Sequence, residues 1–201
     1  MRFLRKNSLL ILTIYAVCAA VVAAFAWNGL LLTQKCAVVM VMIACLHEWG
    51  EQRFPGGFLE LMAQNMGLAV TDEQRASMLA KPDLMVGVLT FLGFAVRDVP
   101  LFACAVILFG LLEGVVHVAG IKLMGLKRPY SPGLVTAELW AATSVVSIVL
   151  LVQQGTVGPL DWALGLVWLV VCFAAMEISV WKAAGISLKE VPERMKARLS
   201  K

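Results

Sequence analysis

The feature that most constrains this chain is a succession of apolar stretches at or near the length needed to cross a bilayer. A hydrocarbon core of ~30 Å takes roughly 20 mostly apolar residues as a helix. Residues 9–27, 35–49, 84–96, 99–125, 132–152 and 158–181 answer to that description, the short third either extending back into the preceding loop or forming a half-helix packed inside the bundle. Backbone groups in lipid must be satisfied internally, so runs of this kind read as helices. Composition agrees: 61% of residues are hydrophobic and 15% charged, against ~25% charged in soluble domains. The mean hydropathy is +0.86. An ordinary soluble domain, a disordered chain and a nucleic-acid-binding arm are excluded. The expectation is an all-α transmembrane bundle of about six spans. It forms one domain over residues 1–185, with an interfacial segment at 54–81 and a basic tail at 186–201.

The distribution of basic residues orients such a bundle. With the N-terminus inside and six alternating spans, Arg2, Arg5, Lys6, Arg53, Arg75, Lys81, Lys122, Lys127, Arg128 and Lys182 fall on the inner side. Lys189, Arg194, Lys196, Arg198 and Lys201 join them. Only Lys35 and Arg97 fall outside. The positive-inside rule therefore predicts both termini in the cytoplasm. Ala24-Phe25-Ala26 has the look of a signal-peptide cleavage site, but the preceding apolar run is long for one, and the segment reads as a retained helix.

Two inner segments carry structure of their own. Pro55, Gly56 and Gly57 break the chain just ahead of an apolar run, as in a re-entrant or interfacial turn. Thr71-Asp72-Glu73-Gln74 is a capping box, and the short helix it opens is expected to stop by Lys81, before Pro82. In the tail, Leu188, Val191, Met195 and Leu199 alternate with cations, the pattern of an amphipathic helix on an anionic inner leaflet. A solvated helical tail fits the same pattern. The five cysteines show no paired spacing and read as buried thiols, giving no disulfide framework.

Ionisable residues within spans are costly and mark functional candidates. Here they are His47, Glu48, Glu51, Glu113, His117, Glu138 and Glu177, all in the cytoplasmic halves of their spans. His47 and Glu51 are four residues apart and share a helix face, as do Glu113 and His117. Gly110 and Gly114 flank Glu113 in a G-x-x-x-G pattern that admits a neighbouring helix. Two imidazoles and two carboxylates from two helices form a ligand set for zinc or another divalent metal. Glu48, beside a ligand, is the candidate base. Glu138 and Glu177 are candidates for supporting or pathway groups. The alternative without metal is that the histidines bond to carboxylates locally, Glu51 pairs with Arg53, and the remaining acids snorkel to the surface.

The run His47-Glu48-Trp49-Gly50-Glu51, followed by Phe54-Pro55-Gly56-Gly57-Phe58, resembles the signature of the HXXEE family of bacterial and archaeal membrane proteins. Glu113-x-x-x-His117 and Tyr130-Ser131-Pro132-Gly133-Leu134-Val135-Thr136-Ala137 are similar to further blocks of that family. The resemblance implies a helical protein of the cytoplasmic (inner) membrane and a His/Glu motif, without implying a reaction. The first Glu of the family's pair is Gly50 here. Either Glu48, pointing about 100° or more away around the helix, supplies that carboxylate, or the site is reduced.

The leading expectation is a metal-dependent membrane hydrolase acting on a lipid or amphiphile. Its ligands would be His47, Glu51, Glu113 and His117, its base Glu48, and its entrance the turn at Pro55, Gly56 and Gly57. A proton-coupled transporter or solute-binding protein is the second reading, and a structural or partner-binding subunit the third. Zinc is the favoured cofactor and membrane lipids are the expected partners. No nucleotide, haem or flavin fingerprint is present, and no nucleic acid is expected.

Overall fold

The computed structural model describes residues 2–194, and among them the regular structure is entirely helical. A single turn, α1 (Arg2–Lys6), leads into α2 (Ser8–Ala26), which ends in a 3-10 turn at Trp27–Gly29. There follow α3 (Leu32–Gln52), the short α4 (Phe58–Asn65), α5 (Asp72–Ala95), α6 (Leu101–Leu123), α7 (Leu134–Gln153) and α8 (Pro159–Ala183). Five of these, α2 and α5 to α8, are long and apolar enough to cross a membrane. Their outward faces carry exposed Leu10, Ile14, Val17, Val145, Val149, Val167 and Val171, surface that suits lipid and not water. The chain is a helical membrane bundle.

The sixth long helix, α3, holds the centre. It packs against α2, α5, α6 and α7, and its middle turns bury Ala37, Val38, Met40, Val41 and Ala44 almost completely. Only a narrow stripe of α3, at Met42 and Leu46, stays exposed, so its other faces can carry polar groups that the outer helices cannot. Small residues bring its neighbours together. At Gly110 on α6 an added Cβ would lie 2.4 Å from the Trp140 ring of α7. At Gly114 it would lie 2.7 Å from the Ala141 methyl. The G-x-x-x-G pair is thus the face on which α7 sits.

One expectation is corrected. The helix opened by the capping box does not stop before Pro82, and the third apolar stretch extends back into it: α5 begins at the Thr71 cap, whose hydroxyl accepts from the Gln74 backbone N–H at 3.3 Å, and runs unbroken through Pro82 to Ala95. Proline disfavours a helical residue before it and removes one backbone donor. Packing against α3, α6 and α8 outweighs that local preference, as buried surroundings allow in membrane helices. The interfacial segment therefore shrinks to α4 and its flanking turns. Of the proposed tail helix, Val191 to Arg194 are helical. Met195, Lys196, Arg198, Leu199 and Lys201 lie outside the described residues.

The α6–α7 contact is open to a direct test. Gly110→Val places a branched side chain against Trp140 and Ser144, and overpacking of this kind costs about 1–3 kcal/mol. The expected result is a lower thermal unfolding midpoint in detergent, while Gly87→Ala, where an added Cβ meets nothing within 4 Å, leaves it near wild type. Equal midpoints for the two variants would contradict this packing.

Candidate metal centre

Helical spacing places His47 and Glu51 on one face of α3, and Glu113 and His117 on one face of α6. The bundle turns those two faces toward each other. His47 Nε2 lies 3.7 Å from Glu51 Oε1 and 3.6 Å from Glu113 Oε2. His117 Nε2 lies 3.0 Å from the same Glu51 oxygen and 3.9 Å from the same Glu113 oxygen. The imidazole rings meet edge to face, with centroids 5.0 Å apart. Both histidines are almost fully buried, at 2% and 1% exposure, whereas the two carboxylates retain 13% and 14%. The imidazoles are buried against protein, and His47 lines a cavity together with both acids.

The outer nitrogens of the imidazoles are already committed. His47 Nδ1 sits 3.3 Å from the Gly133 carbonyl and 3.3 Å from Thr136 Oγ1. The Thr136 hydroxyl donates to that same carbonyl at 2.8 Å, so its oxygen is free to accept. Both partners of Nδ1 are acceptors, and Nδ1 must carry the hydrogen. In a neutral ring Nε2 then presents a lone pair, facing two carboxylate oxygens with nothing between them. His117 Nδ1 is 3.0 Å from Ser131 Oγ. Its Nε2, although close to Glu51, is buried without a hydrogen bond of acceptable geometry. Lone pairs and anionic oxygens converging at this depth repel unless a cation or added protons stand among them.

The donor spacing fits a metal. Bonds of about 2.0–2.1 Å in a tetrahedron place ligand atoms about 3.3–3.4 Å apart, and the four distances bracket that value. The donor atoms of His47, Glu113 and His117 all lie within 4.8 Å of one another, and Glu51 approaches both imidazoles. Nitrogen and oxygen donors suit zinc or a similar divalent ion. Two neutral imidazoles and two carboxylates carry two negative charges, which one divalent cation balances. Nδ1 bonds to a carbonyl and hydroxyls are the kind of support that fixes ring orientation at metal sites. The buried His/Glu group could therefore hold a metal ion.

The start of α7 makes this approach possible. Gly133 adopts a left-handed φ of +87°, and an added Cβ there would lie 2.7 Å from Glu51 Cγ, 3.0 Å from His117 Cε1 and 3.1 Å from His47 Cε1. No other residue fits at that point. Gly50 serves the same contact from the other side: its added Cβ would sit 3.1 Å from Thr136 Oγ1 and 3.3 Å from Gly133 Cα. A longer side chain at 50 would have to push the α7 start away.

The remaining candidates separate. Glu48 is buried on the side of α3 that faces α5, and its Oε2 accepts from Gln52 Nε2 at 3.0 Å. The same nitrogen donates to Asp83 Oδ1 at 2.8 Å. Glu48 lines the cavity beside the cluster, and so does Glu177 from α8. Glu138 is exposed on α7. Pro55, Gly56 and Gly57 form the turn into α4 but do not line the cavity. That role falls to α4 itself, whose Phe58 ring lies 5.1 Å from His117. Trp140, 5.8 Å from His47 and fully buried, closes the deep side.

The cavity measures about 190 Å³. His47, Glu48, Glu51, Glu113 and Glu177 are its polar lining, and most of the remaining wall is apolar, with Met62, Met78, Met85, Phe109, Phe173 and Met176. Sequence reasoning missed Ser131, Gly133 and Thr136 as supports of the histidines, and Gln52 and Asp83 as partners of Glu48. The visible signal was the short polar run around Pro132-Gly133, directly ahead of an apolar span.

Removing the hydroxyl behind His117 tests this support. Ser131→Ala is expected to weaken metal binding about 10–100-fold in competition titrations with a chromogenic chelator, while His117→Ala removes the high-affinity site. Wild-type affinity in both variants would rule the centre out. No family model, curated protein or solved structure matches the chain, and the assignment stands on the donor geometry itself.

Proposed function

We propose that this protein is a metal-dependent membrane hydrolase whose substrate is a lipid or another amphiphile. The observation that carries this reading is the one-sided centre: imidazoles backed by Trp140 and Phe58, with His47, Glu51 and Glu113 turned to a cavity that is polar beside them and mostly apolar elsewhere. Structural metal sites are closed by protein, whereas catalytic ones keep a position free. The resemblance of the 47–58 segment to the HXXEE signature supports the same residues.

In this reading His47, His117, Glu113 and Glu51 hold the ion, zinc being the best match to the donor set. Bound there, it supplies Lewis acidity toward a carbonyl or phosphoryl group. The chain's own residues do the rest. The Gly133 carbonyl and the Thr136 and Ser131 hydroxyls keep both rings aimed inward. Glu48, at the cavity wall and steadied by Gln52, takes the proton from the attacking water. The methionine-rich walls adapt to an acyl chain through their flexible thioethers and keep bulk water from the polar end. The excess of cations at the end of the bundle where the centre lies supports an orientation with that end, and both ends of the chain, on the cytoplasmic side of an inner membrane.

Metal analysis and turnover separate the parts of this proposal. Protein purified in detergent without chelator is expected to carry about one divalent ion per chain, and His47→Ala to lose it. A panel of ester, amide and phosphodiester amphiphiles is expected to include one that wild type cleaves. Glu48→Gln should keep the metal and lose about 10²–10⁴-fold in turnover. A wild type that neither carries nor takes up metal refutes the centre. One that binds zinc but cleaves nothing in the panel refutes the hydrolase.

A further inference from the structure

A second cavity lies on the other side of α5, away from the metal centre. It is a groove of about 550 Å³ between α2 and α5. Its floor and sides are apolar, with Leu12 and Tyr15 from α2 and Gly87, Val88, Phe91 and Leu92 from α5. Leu84, Val88 and Phe91 are exposed along it, so the groove opens on the lipid-facing surface. At one end stand two cations, Arg5 and Lys81. The same two residues also border a polar recess, where Lys182 of α8 joins them together with Gln74, Ser77 and Ser179. The recess holds one acid, Glu73. None of the three cations takes part in an ion pair among the described residues. The one acid of the groove, Asp83, is 3% exposed and turned inward to Gln52.

We propose that this groove binds one anionic phospholipid of the surrounding bilayer, with its phosphate among Arg5, Lys81 and Lys182 and one acyl chain laid along Gly87 and Phe91. The length supports a lipid. Lys81 and Phe91 are ten residues apart on α5, or ~15 Å along the axis, half of the ~30 Å hydrocarbon core and thus one leaflet. The polarity supports it as well. Three unpaired cations from three helices meet at one level, directly above an apolar trough. Clustered cations at the headgroup level attract anionic lipid, while their aliphatic stems tolerate the interface. A soluble anion would leave the trough unused, and a neutral lipid would leave the cations unpaired. Gly87 fits the chain's path, since an added Cβ there meets nothing within 4 Å. The space beside it belongs to the groove.

Native mass spectrometry of the delipidated full-length protein tests this, with phosphatidylglycerol and phosphatidylcholine of identical acyl chains as probes. Wild type is expected to hold phosphatidylglycerol at least tenfold more tightly than phosphatidylcholine. The triple variant R5Q/K81Q/K182Q should lose that preference. Gly87→Leu, which fills the trough and leaves every cation in place, should lower phosphatidylglycerol occupancy at least fivefold. Metal content and unfolding midpoint serve as controls that the variants are folded. Equal retention of the two lipids by wild type, or an unchanged preference in the triple variant, overturns the proposal. If Gly87→Leu binds as wild type does, the cations are a diffuse basic surface with no built groove, and the proposal fails. The outcome is independent of whether the metal centre is catalytic.

Discussion

Two carboxylates and two imidazoles converging inside a membrane bundle set an electrostatic problem that the rest of the structure is arranged around. Isolated charges at such depth cost several kcal/mol or more. Here each Nε2 faces two acid oxygens, and at least one ring has its proton fixed on the far side by the Gly133 carbonyl and Thr136. A divalent cation would resolve this with balanced charge and fitting distances. The location of α3 follows. The helix that supplies half of the donors is the one that packs against four other long helices, and it alone of the six falls short of the apolarity needed to cross unaided.

Much of the architecture was legible in the sequence because bilayer thickness and helical rise act on any chain alike. The six apolar stretches correspond to six long helices, and the i,i+4 pairs at 47/51 and 113/117 do share faces that meet. What was not legible depends on neighbours. Pro82 reads locally as a helix stop, yet α5 passes through it because three other helices pack along its length. Periodicity gives the faces of α7 but not their partners, so Glu138, which looked equivalent to Glu177, is exposed while Glu177 reaches the cavity wall. Ser131, Gly133 and Thr136 support the histidines from 14 to 89 residues away in the chain, and no short-range pattern announces such a distance. Glu48 does sit at the wall as a spare carboxylate, though its tether to Gln52 and Asp83 spans α3 and α5 and was invisible.

The two cavities divide the chemistry of the same end of the bundle. One is polar at an enclosed end and walled by flexible methionines and phenylalanines. The other is basic at its mouth and opens sideways. α5 separates them, presenting Pro82 and Met85 to the first and Leu84, Val88 and Phe91 to the second. A single helix thereby serves as wall to both, and the Gln52 amide, bridging Glu48 and Asp83, ties the two faces together through buried hydrogen bonds.

The enclosure of α3 also has a consequence for biogenesis. The ribosome delivers His47 and Glu51 more than sixty residues before His117, and Ser131 and Gly133 come later still. At that stage α3 has only α2 beside it. Its acidic last turn has no cation to neutralise it and no cover from α6 or α7. The segment is therefore expected to linger at the translocon or the interface, and to take its central berth only when α6 and the start of α7 arrive. Maturation of the centre is thus a late event in synthesis, and metal loading would then lock the finished arrangement.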